Sequence, residues 1–313
     1  MFPKFDKLAA RLEALLERAE AWLPESHAEP AWERFIAYRW RPRVTALGRI
    51  GQLVGVAHPH RIRYADLHHI DEQKTRLDEN TRHFVMGRPA NNVLLTGARG
   101  TGKSSLVKAA LTAHAARGLR LIEVDRADLI DLPDIADRVA SRPERFIVFS
   151  DDLSFEANDP GFKALKSVLD GGIAATQDNL LVYATSNRRH LMPELMRENL
   201  EAHHAADGEI HPGETTEEKV SLSERFGLWL SFYSFDQETY LAIAEHWVRE
   251  LTHGRSVDAP AMKKAALLWS LERGGRSGRT AMQFARDWAG KHPGTAAKHP
   301  AKKSAVQKRS RRA

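Results

Sequence analysis

The sequence predicts an open α/β fold built on a five-stranded parallel sheet, with helical segments before and after it. Three observations lead there. Short apolar runs recur between helical periodicities: Val93–Leu95, Leu119–Asp125 (LRLIEVD), Phe146–Ser150 (FIVFS), Leu180–Ala184 (LLVYA) and Leu228–Phe232. Strands that alternate with helices in this way pair in parallel and are covered on both faces. A glycine-rich turn joins the first strand to a helix, and beyond Asp236 the pattern becomes wholly helical.

Taken in order, residues 4–23 place Phe5, Leu8, Leu12, Leu15, Leu16, Ala19 and Trp22 at spacings of three and four, an amphipathic helix ended by Pro24. A shorter helical stretch is expected around Trp32, Phe35 and Ile36. The segment Arg41–Arg63 (RPRVTALGRIGQLVGVAHPHRIR) mixes apolar pairs with arginines and reads as a loop with a short strand. Asp71–Met86 is helical, and Gly87-Arg88-Pro89 stops it. Between the strands, helices are expected over Leu132–Ser141 and Phe162–Leu169. Residues 201–219 read as an exposed polar loop; their His203, His204, Glu209 and His211 match no compact metal-ligand spacing. Three helices close the chain, over 236–252, 259–272 and 277–289.

Composition describes a globular protein, with 42% hydrophobic and 28% charged residues. Cysteine is absent, so disulfides and thiolate metal sites are excluded. No stretch is apolar enough to span a membrane, and the N-terminal residues carry charges throughout, so a cytoplasmic protein with no membrane partner is expected. Of the net charge of +6, the tail from Lys291 contributes eight Lys and Arg and no acid, which leaves the body slightly acidic. Such a tail can bind nucleic acid through phosphates or simply aid solubility.

The chemistry concentrates in the stretch NNVLLTGARGTGKSS, Asn91–Ser105. Gly97-x-x-x-x-Gly102-Lys103-Ser104 follows a strand and opens a helix, the context of a phosphate-binding P-loop. The backbone from Gly97 through Ala98, Arg99, Gly100, Thr101 and Gly102 can curl N–H groups around phosphate oxygens, because its glycines leave room. Lys103, Ser104 and Ser105 begin the helix, whose N-terminal N–H groups and dipole favour the same anion. Lys103 is expected to reach the β- and γ-phosphates of ATP, and Ser104 to ligate Mg²⁺. Strand FIVFS delivers Asp151 and Asp152 at its C-terminal end, where open α/β sheets bind ligands. Asp151 is read as the second Mg²⁺ ligand and Asp152 as the general base toward an attacking water.

This set, a P-loop, an Asp-Asp strand, an Asn-ended strand and a helical C-terminal region, resembles an AAA+ ATPase. The strings DENTRHF, GARGTGKSSLVKA, FSDDLSFE and ATSNRRHL are similar to a bacterial AAA+ family that carries only an unknown-function label. The likeness runs from about Leu67 to Trp288. It implies an AAA+ core with a helical lid, ATP hydrolysis to ADP and phosphate, a homo-oligomer and a protein client it does not identify. It also implies further roles. Asn187, after LLVYA, matches sensor 1; Arg225 in SERFG matches the arginine finger; Arg279 in GRSGRTA matches sensor 2, with Arg276 as its neighbouring alternative. Two features depart from the usual pattern. The family type places Glu where Asp152 stands, with Glu156 in reserve, and the loop Arg126–Pro133 lacks the aromatic-glycine pair of protein-threading rings. The expected division is an N-terminal helical extension (1–88), a nucleotide-binding core (89–234), a helical lid (235–290) and a disordered basic tail (291–313). A slowly hydrolysing, ATP-gated interaction protein is the alternative reading.

Overall fold

A computed structural model describes residues 30–45, 48–155, 159–170, 178–187, 222, 224–254 and 258–292. The helix expected over 4–23, the polar loop over 201–219, Glu156 and the tail beyond 292 lie outside them. The chain divides into two compact units, Met1–Ser234 and Phe235–Ala313.

The first unit is built on a seven-stranded sheet, two strands more than expected. The extra strands are β1 (Ala37–Thr45) and β2 (Gly48–Gly55), in a region expected to be a helical extension. Around Trp32 the chain makes only a turn, in which Arg34 N–H donates to Ala31 O at 3.0 Å. The strand signal was masked by composition. Tyr38, Trp40 and Pro42 alternate with Arg39, Arg41 and Arg43, a period of two whose polar half is long and basic. Pro42 also argues against a central strand. In the structure β1 pairs with a second neighbour only as far as Arg39, so Pro42 sits where one side of the strand is unpaired.

The remaining elements follow the α/β alternation: α1 (Asp71–Val85), β3 (Val93–Gly97), α2 (Lys103–His114), β4 (Leu119–Glu123), α3 (Leu132–Val139), β5 (Arg145–Ser150), α4 (Pro160–Asp170), β6 (Leu180–Ser186) and β7 (Leu228–Phe232). Strand order is β2-β1-β4-β5-β6-β3-β7, antiparallel only between β1 and β2. The chain leaves β3 for β4, steps back through β5 and β6 to β3's flank, then crosses to β7 on its far side. The C-terminal ends of β3, β5 and β6 therefore converge where the winding direction changes, the crevice in which such sheets bind ligands.

Both faces of the sheet are buried because its strands carry apolar side chains in either direction. Leu94, Ile122, Val148 and Val182 pack with Leu132, Ile135 and Leu165 of α3 and α4, while Val93, Leu121, Ile147 and Tyr183 pack with Leu77, Phe84, Leu106 and Val107 of α1 and α2. The start of β3 is tied down by asparagines. Asn80 of α1 exchanges two 2.9 Å hydrogen bonds with the Asn91 backbone, and Asn92 Oδ1 accepts from Val182 N–H at 2.8 Å. Burial pushes the Tyr183 hydroxyl up to about 12, so it stays protonated between Asn80 and Thr81.

The second unit comprises α5 (Gln237–Leu251), α6 (Ala259–Glu272) and α7 (Gly278–Lys291), packed around Tyr240, Ile243, Val248, Met262, Ala266 and Phe284. Each helix begins with a side-chain cap, Asp236, Asp258 or Ser277, accepting from the N–H three residues on. The aromatics from Phe226 to Tyr240 do not form one cluster. Phe226 and Trp229 join one face of the sheet, Phe232 the other, and Phe235 and Tyr240 the helical unit. None of the described helices is long and apolar enough to cross a membrane.

Candidate functional site

The loop between β3 and α2 is shaped by glycines in the left-handed half of backbone space: Gly97, Gly100 and Gly102 have φ of 127°, 73° and 103°. Gly97 has a second constraint. A Cβ there would lie 1.9 Å from the Phe232 carbonyl oxygen, because the loop starts against β7 and Ala98 N–H donates to that same oxygen at 3.2 Å. Thr101 Oγ1 closes the turn onto Ala98 O at 2.8 Å. Arg99 points outward, its side chain 77% exposed. Gly102 is the N-cap of α2 and supplies no side-chain cap. N–H groups in the first turn of a helix have no intrahelical acceptor, so the start of α2 at Lys103, Ser104 and Ser105, with the positive end of the helix dipole, favours an anion.

Lys103 is buried beneath this loop, its residue only 6% exposed. Its ammonium donates to Gly97 O at 2.8 Å, Ala98 O at 2.7 Å and Asn187 Oδ1 at 2.9 Å. Ser104 Oγ donates to Asp151 Oδ1 at 2.6 Å. The β5 carboxylates, expected from the sequence to share a site with the loop, thus lie against it.

Thr185, on β6, was given no part by the sequence reasoning. Its hydroxyl donates to Asp151 Oδ1 at 2.5 Å and accepts from Asp152 N–H at 2.9 Å, while the Thr185 carbonyl accepts from Leu153 N–H at 2.6 Å. One buried residue therefore shapes the whole acidic turn. Asp152 holds a left-handed backbone, φ 56°, unusual for a residue with a side chain. Asn187 Nδ2 donates to Asp152 Oδ1 at 2.5 Å, and Arg99 Nη2 is 3.8 Å from Oδ2. Lys103, Asn187 and Asp152 thus form one chain of polar contacts across three strand ends.

Ser104 Oγ and the Asp151 carboxylate are adjacent hard oxygen donors, the ligand type a small divalent cation such as Mg²⁺ takes, and Asp151 Oδ2 has no hydrogen bond among the described residues. That donor set fits the ion.

Two candidates remain. Arg225 Nε donates to Asp170 at the end of α4. Arg279 is exposed in the first turn of α7, in the second unit, where Arg276 donates to Gln237 at 3.3 Å.

Among solved structures, the chain is similar to two mutant forms of RuvB from Thermotoga maritima. One is 15% identical with a TM-score of 0.48, and the match covers 72% of this chain and 64% of that one. The other is 16% identical with a TM-score of 0.47, covering 72% of this chain and 63% of that one. This chain thus spans less than two thirds of the length of either. No curated protein matches the sequence. A family model does match, over residues 33–292, taking in the sheet, the loop and the helical unit, and the chain accordingly belongs to the family described as "Protein of unknown function (DUF815)".

Proposed function

We propose that the chain is an AAA+ ATP-binding protein that hydrolyses ATP to ADP and phosphate and couples the event to a conformational change. The observation that carries this reading is the joining of Ser104, at the start of α2, to Asp151, just beyond β5, at 2.6 Å, with Lys103 and Asp152 bridged by Asn187 beside them. A triphosphate entering the loop takes N–H groups at the start of α2, and Lys103 exchanges its carbonyl partners for phosphate oxygens. Ser104 and Asp151 would hold Mg²⁺, whose charge, when bound, offsets that of the phosphates. Asp152 accepts the proton of the attacking water, and Asn187, beside it, orients that water. The roles of Arg225 as a finger toward a neighbouring subunit, and of Arg279 as a sensor, rest on the sequence resemblance, as do the homo-oligomer, its client and a cytoplasmic setting.

Slow turnover is favoured by one detail. Asp152 is a methylene shorter than Glu, and its two oxygens face Asn187 and Arg99. ATP binding with and without Mg²⁺, followed by single-turnover hydrolysis, tests both levels of the reading. No ATP binding overturns it entirely; tight binding without hydrolysis leaves a nucleotide-gated switch.

A further inference from the structure

Between Arg34 and Ala65 the chain carries seven arginines and two histidines, and neither Asp, Glu nor Lys. The fold uses some of these internally. Arg39 pairs with Glu123 at 2.5 Å, Arg49 with Asp128 at 2.6 Å and Asp131 at 2.9 Å, and Arg63 with Asp66 at 2.7 Å. Arg41 and Arg43 are treated differently: both are exposed, and neither has an ion-pair partner among the described residues.

Their setting is a projecting ribbon. Strand β1 pairs with β4 only over Ala37–Arg39, opposite Leu121–Glu123, but with β2 along its whole length. From Trp40 to Thr45 the hairpin therefore runs on past the C-terminal end of β4 as two strands alone. One face of it is anchored. Trp40 is buried, its indole donates to Asp131 at 2.8 Å, Arg138 lies over its ring, and Gly51 leaves the space the ring occupies. The opposite face carries Arg41 and Arg43 at alternate positions, about 7 Å apart, with Gln52 and Ile50 beside them on β2.

We propose that this outer face is a docking surface for the sugar–phosphate backbone of a nucleic-acid duplex. The ribbon holds two exposed guanidiniums that make no ion pair among the described residues, and guanidinium is the side-chain group that grips phosphate with two parallel hydrogen bonds. Backbone contact to a duplex is favoured over capture of single strands. Stacking on bases needs exposed aromatic rings, and the ribbon's aromatics, Tyr38 and Trp40, are buried on the other face. Recognition through phosphates alone is independent of sequence and steeply dependent on salt.

The test is fluorescence anisotropy of a labelled mixed-sequence DNA duplex with the full chain, without nucleotide, so that it does not depend on the ATPase reading. Each phosphate contact contributes about 0.9 to the salt slope, so Arg41→Gln with Arg43→Gln should lower it by about 1.8 and weaken low-salt binding about tenfold. Arg41→Lys with Arg43→Lys should keep the slope. Lys264→Gln with Arg286→Gln, an equal charge loss on exposed positions of the helical unit, should also leave it unchanged. Both Arg41 and Arg43 side chains are exposed, so thermal midpoints should match the wild type. The proposal is overturned if the glutamine pair has the wild-type slope, which would assign binding to the tail, or if the wild type binds no duplex at low salt. It is equally overturned if phosphatidylserine vesicles or polyglutamate, but not the duplex, bind through these arginines.

Discussion

Replacing Thr185 by Val should loosen the acidic turn while keeping the shape of β6. The side chain is buried, with the residue 1% exposed, and valine fills the same space. What is lost is one hydroxyl that serves Asp151 at 2.5 Å and Asp152 N–H at 2.9 Å. A hydrogen bond to a charged group contributes about 1.5–3 kcal/mol, and a second, neutral one about 0.5–1.5 kcal/mol. Asp152 is exposed, so water can recover part of the loss, and a net cost of about 2–4 kcal/mol follows. For a unit of this size that corresponds to a fall in Tm of roughly 5–15 °C. Mg²⁺-dependent nucleotide binding should weaken further, about 10- to 100-fold, the usual result of removing a partner that orients a metal ligand. Thr185→Ser restores the hydroxyl and should recover most of both effects. Calorimetry and Mg²⁺ titrations of nucleotide binding would read them out. If Thr185→Val melts with the wild type and needs no more Mg²⁺, Thr185 does not order the turn and the acidic pair is held some other way.

Lys103→Ala should abolish or severely weaken ATP binding, measured by titration with a fluorescent analogue; wild-type affinity would remove the loop assignment. Asp152→Asn should keep ATP binding and lose turnover, since an amide preserves shape but accepts no proton; near-normal single-turnover rates would move the base elsewhere, with Glu156 the next to test. Arg225→Ala should bind ATP but hydrolyse it 10³- to 10⁵-fold more slowly if it acts as a finger, by the usual order of magnitude of such groups. Mixing it with Lys103→Ala should then restore part of the activity at interfaces that combine a good loop with a good arginine; a variant with full activity would leave Arg225 a structural role, such as its pairing with Asp170. Tyr183 supplies a pH prediction. Its hydroxyl is held neutral up to about 12 in the folded chain against 10.0 for a free tyrosine. Its contribution is therefore complete below pH 10.0 and is lost as pH rises toward about 12. Denaturant midpoints should fall across that window, and less steeply in Tyr183→Phe.

Much of the site was legible because it depends on local spacing. Gly97, Gly102, Lys103 and Ser104 lie within one turn between a strand and a helix, and the glycines are required by backbone angles that neighbouring residues impose. The pair Asp151-Asp152 was legible because a buried apolar strand must end before charges begin. Strands β3 to β7 and the helices around them followed from the same periodicities. Thr185 was not legible in this way. A buried threonine near the end of an apolar strand reads as packing, and only the pairing of β6 beside β5 sets its hydroxyl against the Asp151 carboxylate and the Asp152 N–H. Nor could the sequence tell that Asn187 bridges Lys103 and Asp152, residues far apart in the chain.

By itself the sequence determined the class of fold, the glycine loop between β3 and α2 and the acidic strand end, since each is written in residues that act on their immediate neighbours. The tertiary structure alone decided the size of the sheet and the fate of the arginines. Strands β1 and β2 depend on Trp40 finding Asp131 and on Ala37–Arg39 pairing with β4, contacts between segments distant in sequence. The same packing neutralises Arg39 and Arg49 and leaves Arg41 and Arg43 in solvent. A count of charges cannot separate them, because the difference lies in which of them the fold brings within reach of a carboxylate from another segment.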